Sequence, residues 1–279
     1  MIILKTFTLL KSISLPFKYI MMKYSPNFKT LLPLFLLIIA PLLNQAQEQE
    51  YYELKVYEFE NYDQVEKTEN YVQNALLPGL KDLGVENIGV FKPKADSLNK
   101  LYVLIPYTSL KEFASKNKDF QDSEVYQKKG GEYISGSNDN PPYKRMSTIL
   151  LKAFKDMPVM KPSAIEGPKK DRVYELRSYQ SSTEALLKNK IKMFNEGGEI
   201  KLFDELDFNA VFYAEVIAGP DMPNLMYLTT FSDQKSRDEH WESFGNSPVW
   251  KKMEAIPEYQ GNVSKIDIHY LYPTDYSDY

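Results

Sequence analysis

The order of apolar and polar positions in the second half of the chain predicts a regular series of strands and helices. Residues 172–179 alternate with period two, as a strand does, whereas the apolar residues of 182–203 recur with helical spacing. The pattern then predicts two strands, two helices and a final strand: 210–218, 225–231, 232–244, a short helix from 247, and 263–271. This order, strand, helix, strand, strand, helix, strand, is that of a ferredoxin-like βαββαβ unit.

The first half of the chain repeats this unit. YELKVY at 52–57 matches YELRSY at 174–179 at an offset of 122, and 100–108 matches 224–232 at an offset of 124. The final strands, 146–154 and 263–271, align at an offset of 117, which implies a seven-residue insertion in the first copy. We therefore predict five segments: a leader at 1–46, one unit at 50–155, a proline-rich linker at 156–170, a second unit at 171–272 and a frayed acidic tail at 273–279.

The repeat also predicts how the two units pack. A four-stranded antiparallel sheet with helices on one face leaves its other face in need of cover. A second copy on the same chain can supply that cover. The fold class is therefore α+β, with two ferredoxin-like units packed sheet to sheet as an intramolecular dimeric α+β barrel.

The first 46 residues have the composition of a secretory signal peptide. They carry five Lys and no Asp or Glu, and the apolar run LLPLFLLIIAPLL is too short to span a bilayer as a helix. Cleavage after Ala46 is expected, and translation could begin at Met21 or Met22. The predicted location is periplasmic or extracellular, without a stable membrane anchor. The mature chain then has 29 basic and 38 acidic residues, a net charge of −9.

Composition argues against several classes of function. The chain has no Cys and two His, so a thiolate or histidine metal site is not expected. It has no basic block that would bind nucleic acid, and no nucleotide or nucleophile-elbow motif. We therefore predict no metal, no cofactor and no nucleic-acid partner. Formation of a homo-oligomer stays open.

Charged residues on the first and last strands of the second unit are the candidate site. Glu175, Arg177 and Tyr179 share one face of their strand, and His269 lies on the neighbouring last strand. With Tyr227 from a middle strand, these residues are expected to face a polar barrel lumen and to bind a small acidic or aromatic ligand. His269 is the candidate proton carrier. The alternative is that the charges form ion pairs across the barrel that fix the register of the two sheets.

Three motifs together carry a family resemblance. YELRSY, LMYLTTF and R-x-x-x-W-x-x-F-x-x-x-P-x-W together make the second unit resemble the NIPSNAP family; the matching residues of the last motif are Arg237, Trp241, Phe244, Pro248 and Trp250. Trp241, Phe244 and Trp250 are expected to pack in the core and His240 to be exposed. The first unit looks like a diverged member, with Lys55 in place of the arginine and Asn117 and Tyr126 in place of the tryptophans.

The resemblance implies the dimeric α+β-barrel fold but little about activity. The expected role is binding of a small molecule or partner through the barrel. The alternative is a cofactor-independent enzyme, for example of the monooxygenase type, acting on a small aromatic or acidic substrate. That alternative is an analogy of fold alone.

Overall fold

A computed structural model describes residues 48–93 and 100–279. The predicted leader at 1–46 lies outside the described residues. The strands of the first repeat are β1 (Tyr51–Glu58), β2 (Gly89–Pro93), β3 (Lys100–Tyr107) and β4 (Arg145–Ala153). Those of the second repeat are β5 (Val173–Gln180), β6 (Ala210–Ala218), β7 (Asn224–Phe231) and β8 (Lys265–Pro273).

Helices connect these strands in each repeat. The first repeat contains α1 (Tyr62–Tyr71), which continues through a π-helical turn (Val72–Leu76) into α2 (Leu77–Asp82), then α3 (Leu110–Gln121), α4 (Glu124–Lys129) and α5 (Gly131–Ile134). The second contains α6 (Glu184–Asn195), α7 (Glu199–Glu205), α8 (Gln234–Asn246) and α9 (Pro248–Glu254). Within the described residues, no helix combines the length and the apolarity needed to cross a membrane.

Side-chain caps begin the two helices that will matter for the site. The Asp233 carboxylate accepts a hydrogen bond from the backbone N–H of Ser236 at the start of α8. Ser247 caps α9 and Pro248 occupies its first turn, where a missing N–H costs nothing.

The eight strands close into one barrel. Their order is β1-β3-β2-β8-β5-β7-β6-β4, and every neighbouring pair is antiparallel. Each repeat therefore contributes a continuous four-stranded sheet, and the β2–β8 and β4–β6 pairings join the two sheets. The predicted α+β barrel built from two ferredoxin-like units is confirmed.

The barrel lumen is apolar, so the predicted polar lumen is wrong. Its core combines side chains from both repeats, including Tyr52, Leu54, Tyr174, Leu176 and Phe212, each at most 2% exposed. A closed lumen removes both sheet faces from water, and apolar side chains fill it at the lowest desolvation cost. The charged positions of β1 and β5 therefore face outwards, beneath the helices.

The pairing of β4 and β8 also corrects the sequence alignment of the repeats. Leu150 pairs with Glu53 on β1, and Tyr270 pairs with Glu175 on β5, which sets the offset of the last strands at 120 instead of 117. The first repeat therefore has four extra residues before its last strand, not seven. Because three residues is an odd shift, the wrong alignment exchanged the two faces of the strand.

The segments outside the units are packed against them. In the linker, Met157 and Met160 are buried in two different apolar clusters. At the other end of the chain, Tyr279 is 2% exposed against Phe91 and Tyr174. The tail is thus ordered, and the prediction that it is frayed is wrong, because its aromatic residue covers the barrel core.

Candidate functional site

A buried carboxylate organises the outer face of the second sheet. The Glu175 side chain is 0% exposed and lies on β5 beneath α8. It accepts hydrogen bonds from Arg177 Nε at 2.6 Å, from Arg237 Nε at 2.7 Å and Nη2 at 3.0 Å, and from Trp241 Nε1 at 2.9 Å. Both carboxylate oxygens are thereby engaged twice. Burial raises the pKa of Glu175, but hydrogen bonds from Arg237 and the charge of Arg177 outweigh it and leave the pKa below its ordinary 4.5.

Arg177 is held in one orientation by three contacts. Besides its bond to Glu175, its Nη1 donates to the Tyr179 hydroxyl at 3.1 Å, and its guanidinium carbon lies 3.6 Å from the centre of the Trp241 ring. Such stacking suits the flat guanidinium and cannot be reproduced by lysine. These contacts use two of the five N–H groups of the guanidinium, and the others have no partner among the described residues.

A pair of tyrosines extends the cluster inwards. The Tyr179 and Tyr227 hydroxyl oxygens lie 2.8 Å apart and are hydrogen-bonded to each other. Burial raises the pKa of Tyr227 well above its ordinary 10. Its hydroxyl therefore stays protonated at neutral pH and can donate or accept a hydrogen bond, but it is not a proton acceptor of the strength that base catalysis requires.

A second buried ion pair lies beneath α6 and α7. Lys190 Nζ donates to Glu199 Oε2 at 2.8 Å, and both side chains are less than 10% exposed. The ammonium also lies 4.8 Å from the centre of the Phe194 ring. Burial raises the pKa of Glu199 above 4.5, against the charges of Lys190 and Arg177, which lower it. The proximity of Arg177 and Glu199 makes this pair part of the same electrostatic environment.

The charges of this layer do not balance. Arg177, Arg237 and Lys190 are three largely buried cations, whereas Glu175 and Glu199 are two buried carboxylates. Asp238 also bonds to Arg237 at 2.9 Å, but its side chain is 58% exposed, so water screens its charge. The buried groups therefore carry one positive charge in excess.

The excess charge lies beside an uncovered apolar strip on β8. Arg177 pairs with Ile268 and Tyr179 with Ile266, so these side chains share the outer face of the sheet. Ile268 is 39% and Ile266 48% exposed. Arg177 itself is 11% exposed in its side chain. An oriented cation thus borders an accessible apolar surface, an arrangement that suits a ligand with an anionic group and an apolar body.

His269 does not belong to this cluster. It pairs with Leu176, which faces the lumen, and its ring lies 6.0 Å from that of Tyr102 in the first repeat. Burial lowers its pKa below 6.5. The sequence correctly predicted that His269 faces the barrel side, but Glu175, Arg177, Tyr179 and Tyr227 lie on the opposite face, so His269 cannot exchange a proton with a ligand bound there.

The first repeat retains a reduced version of the cluster. Lys55 Nζ lies 2.6 Å from Glu53 Oε1, and the other oxygen accepts from the Tyr107 hydroxyl at 3.2 Å and from Asn117 Nδ2 at 3.5 Å. Asn117 thus donates a hydrogen bond to Glu53 in the first repeat, as Trp241 donates one to Glu175 in the second. The predicted ion pairs do form, but each lies on the outer face of its own sheet and neither crosses the barrel.

Sequence reasoning missed the role of four residues. Arg237 was predicted only as part of the family motif, although its i, i+4 spacing to Trp241 places both residues on one face of a helix, where both bind Glu175. Lys190 and Glu199 belong to helices whose buried faces could not be inferred from charge. Trp241 was expected to pack in the core, and it does contact Phe203 and Phe208, but it also binds Glu175 and Arg177. His240, expected to be exposed, is half-buried against Phe208.

The described cavities lie away from this cluster. Three cavities of about 250, 370 and 130 Å³ are lined by other residues than Arg177 or His269. No group of three or more His, Asp or Glu side chains suited to a metal ion occurs within 48–93 and 100–279.

Comparison with known proteins identifies the second repeat. Residues 174–278 match the NIPSNAP family model. The second repeat is a NIPSNAP domain. A NIPSNAP family protein of Agrobacterium tumefaciens strain C58 is 21% identical, covering 41% of this chain and 98% of its own, with a TM-score of 0.33. A search of curated protein sequences found no match.

The barrel as a whole resembles a solved structure. A protein of Lactobacillus acidophilus NCFM, provisionally named a monooxygenase, is 14% identical, covers 81% of this chain and 94% of its own, and superposes with a TM-score of 0.55. This likeness supports the fold alone. Within the NIPSNAP domain, the motif residues build the site directly, since Arg237 and Trp241 bind Glu175, and Phe244 packs against Trp250 at a ring separation of 4.5 Å.

Proposed function

We propose that the protein is a binding protein that holds a small organic anion at Arg177 of the NIPSNAP domain. The carboxylate of the ligand bonds to the free N–H edge of Arg177, and its apolar body lies on Ile268. The observation that carries the proposal is the fixed guanidinium, stacked at 3.6 Å on Trp241 and bordering an exposed apolar strip. Preorganisation of this kind lowers the entropic cost of binding.

Charge supports the same ligand class. One positive charge in excess in the buried layer favours an anion, and burial strengthens the attraction relative to water. The protein as a whole is acidic, with a net charge of −4, so an anionic ligand would be drawn to this site rather than to the surface in general.

Binding is favoured over catalysis because the cluster lacks a suitable acid or base. Glu175 has both oxygens engaged and a lowered pKa, and Tyr227 has a strongly raised pKa. Glu199 has a raised pKa, but its side chain is 3% exposed and bonded to Lys190, so a ligand on Ile268 does not reach it. His269 lies on the other face of the sheet. The enzyme alternative would need another group near Arg177 to move a proton.

Titration with benzoate, an aromatic carboxylate, tests the proposal. Isothermal calorimetry should detect binding to the wild type, and Arg177→Lys should weaken it about tenfold, through loss of one charge-assisted hydrogen bond. The fold should survive, because Lys55 makes the equivalent ion pair in the first repeat. Lys55→Gln is the matched control and should leave the affinity unchanged. Absence of benzoate binding, or equal affinities of wild type and Arg177→Lys, would contradict the proposal.

We further propose that the protein acts after export, in the periplasm or outside the cell, as the composition of 1–46 suggests. Its ligand would then be an extracytoplasmic solute, and no nucleic acid or stable membrane anchor would be involved. Fractionation of host cells, followed by mass determination of the chain, tests this proposal.

A further inference from the structure

A cavity of about 370 Å³ lies where the two repeats meet at the β4–β6 pairing. Lys152 of β4 pairs with Glu215 of β6, and both side chains point outwards, because Leu151 and Val216 beside them fill the lumen. One face of α6 also lines the cavity, through residues at i, i+3, i+4 and i+7: Lys188, Ile191, Lys192 and Asn195. The cavity is thus built by both repeats.

The lining of this cavity carries an excess of positive charge. Four lysines border it against two carboxylates: Lys152, Lys155, Lys188 and Lys192, with Glu196 and Glu215. Four positive and two negative groups leave a net charge of +2, whereas the chain as a whole carries −4. A local excess of this sign in an acidic protein favours an anion in the cavity.

Two of the four lysines have no anionic partner. Lys155 and Lys192 form exposed ion pairs, at 3.1 and 2.9 Å. The ammonium groups of Lys152 and Lys188 make no ion pair or hydrogen bond in the part of the chain that the structure describes, although Glu215 is the strand partner of Lys152. Lys188 is exposed and Lys152 is half-buried, so both are within reach of a molecule in the cavity.

The type of cation indicates the class of anion. Among the described residues that line the cavity there is no arginine, so the planar fork that binds a carboxylate side-on is missing. Lysine ammonium groups are compact point charges, which suit a tetrahedral phosphate group approached from several directions. A phosphate monoester carries a charge of about −1.5 to −2 at pH 7, which matches the +2 of the lining. Ile191, half-buried in the same wall, gives its organic part an apolar contact.

We propose that this cavity binds a small phosphate monoester, with its phosphate group between Lys152 of the first repeat and Lys188 of the second. The site is separate from the proposed anion site, because Arg177 does not line the cavity. The two ligands also differ, since the phosphate monoester carries two charges and the carboxylate one. The net charge of −4 opposes adsorption of the protein to an anionic membrane, so the ligand is a soluble ester and not a lipid head group.

Calorimetric titration with phenyl phosphate at pH 8, where this ester is a dianion, tests the site. Binding should saturate in the wild type. The double variant Lys152→Gln, Lys188→Gln should bind about tenfold more weakly, through loss of two charge-assisted contacts that water partly screens, and Lys188→Gln alone about threefold more weakly. Phenyl sulfate has the same shape but one negative charge, and should bind the wild type about tenfold less tightly than phenyl phosphate. The double variant Lys251→Gln, Lys252→Gln is the matched control, because it removes two exposed charges that do not line the cavity, and it should keep the affinity of the wild type.

The remaining outcomes separate this site from the anion site and from a membrane. Arg177→Lys should leave the affinity for phenyl phosphate unchanged, benzoate should not displace phenyl phosphate, and vesicles of phosphatidylcholine with phosphatidic acid should not sediment the protein. The proposal is overturned if phenyl phosphate shows no saturable binding, if phenyl sulfate binds as tightly, or if the variants of Lys152 and Lys188 lose no more affinity than the control variant. Loss of phenyl phosphate binding in Arg177→Lys, displacement by benzoate, or sedimentation with the vesicles would also overturn it.

Discussion

Replacement of Glu175 by Gln should destabilise the NIPSNAP domain more than any other conservative change in the site. The substitution keeps the volume of the side chain but removes the charge that holds Arg177 and Arg237 together. It also replaces one carboxylate oxygen by an amide NH2 group, which faces N–H donors and cannot accept from them. Trp241 or one of the two guanidiniums must then lose its partner in a layer that water does not reach.

The magnitude follows from burial and from the number of bonds. Glu175 is 0% exposed and accepts four hydrogen bonds of 2.6–3.0 Å. Removing one partner of a buried ion pair costs about 3–5 kcal/mol, because the remaining charge stays buried without compensation. The matched change in the first repeat, Glu53→Gln, affects one ion pair and two longer bonds, so we expect about 1–3 kcal/mol there.

Urea denaturation of the wild type and both variants measures these differences. With an m-value of about 2–3 kcal/mol/M, the midpoint should fall by about 1–2 M for Glu175→Gln and by less for Glu53→Gln. A loss below about 1 kcal/mol in Glu175→Gln would refute the reasoning, since that value is typical of an exposed ion pair. So would a loss no larger than that of Glu53→Gln.

Three further predictions concern pH, the second ion pair and export. Because the pKa of Glu175 is lowered on folding, the stabilisation that its charge provides is complete above the unfolded value of 4.5 and is lost as pH falls below it. Urea denaturation at several pH values should therefore show a smaller fall in unfolding free energy on acidification for Glu175→Gln than for the wild type. An equal dependence of unfolding free energy on pH in both proteins would argue against the lowered pKa. Lys190→Met should lower the unfolding free energy by about 3–5 kcal/mol, because it leaves the Glu199 charge buried without a partner. The double variant Lys190→Met, Glu199→Leu should lose clearly less, because no unpaired charge remains buried. Calorimetric melting measures both losses, and a loss in the double variant equal to the sum of the two single losses would contradict the coupling. Mass spectrometry of secreted or periplasmic protein should find Gln47 or a near neighbour at the N-terminus, and an intact leader would overturn the export proposal.

Much of the fold could be predicted because the chain contains two copies of one pattern. A single strand-helix-strand-strand-helix-strand unit leaves one sheet face uncovered, and the second copy removes the ambiguity about what covers it. The barrel order follows from that argument, as the β2–β8 and β4–β6 pairings show.

The faces of the strands could not be predicted because both faces of β5 are buried. Tyr174 and Leu176 fill the lumen, while Glu175 and Arg177 lie under helices, so alternation separates two sets without telling which set is inside. The assumption that charged residues line a wet lumen failed for a physical reason. Helix side chains such as Arg237 and Trp241 can bond to a buried carboxylate, whereas the core of the lumen is filled mainly by apolar side chains.

The wrong face expected for β5 had a further consequence for the site. His269 lies on the lumen side of β8, and because Arg177 was expected to face the lumen as well, the two residues were predicted to form one cluster. Ile268 is the residue that pairs with Arg177. The exposed apolar strip beside Arg177 was missed for the same reason.

Native mass spectrometry of the protein purified from its own host tests the central claim most directly. The claim is that the NIPSNAP domain retains a small organic anion through Arg177. The account predicts an added mass on the wild type and on Lys55→Gln, and its loss from Arg177→Gln, with all three proteins folded. An added mass that persists in Arg177→Gln, or a wild type that carries none, would contradict it.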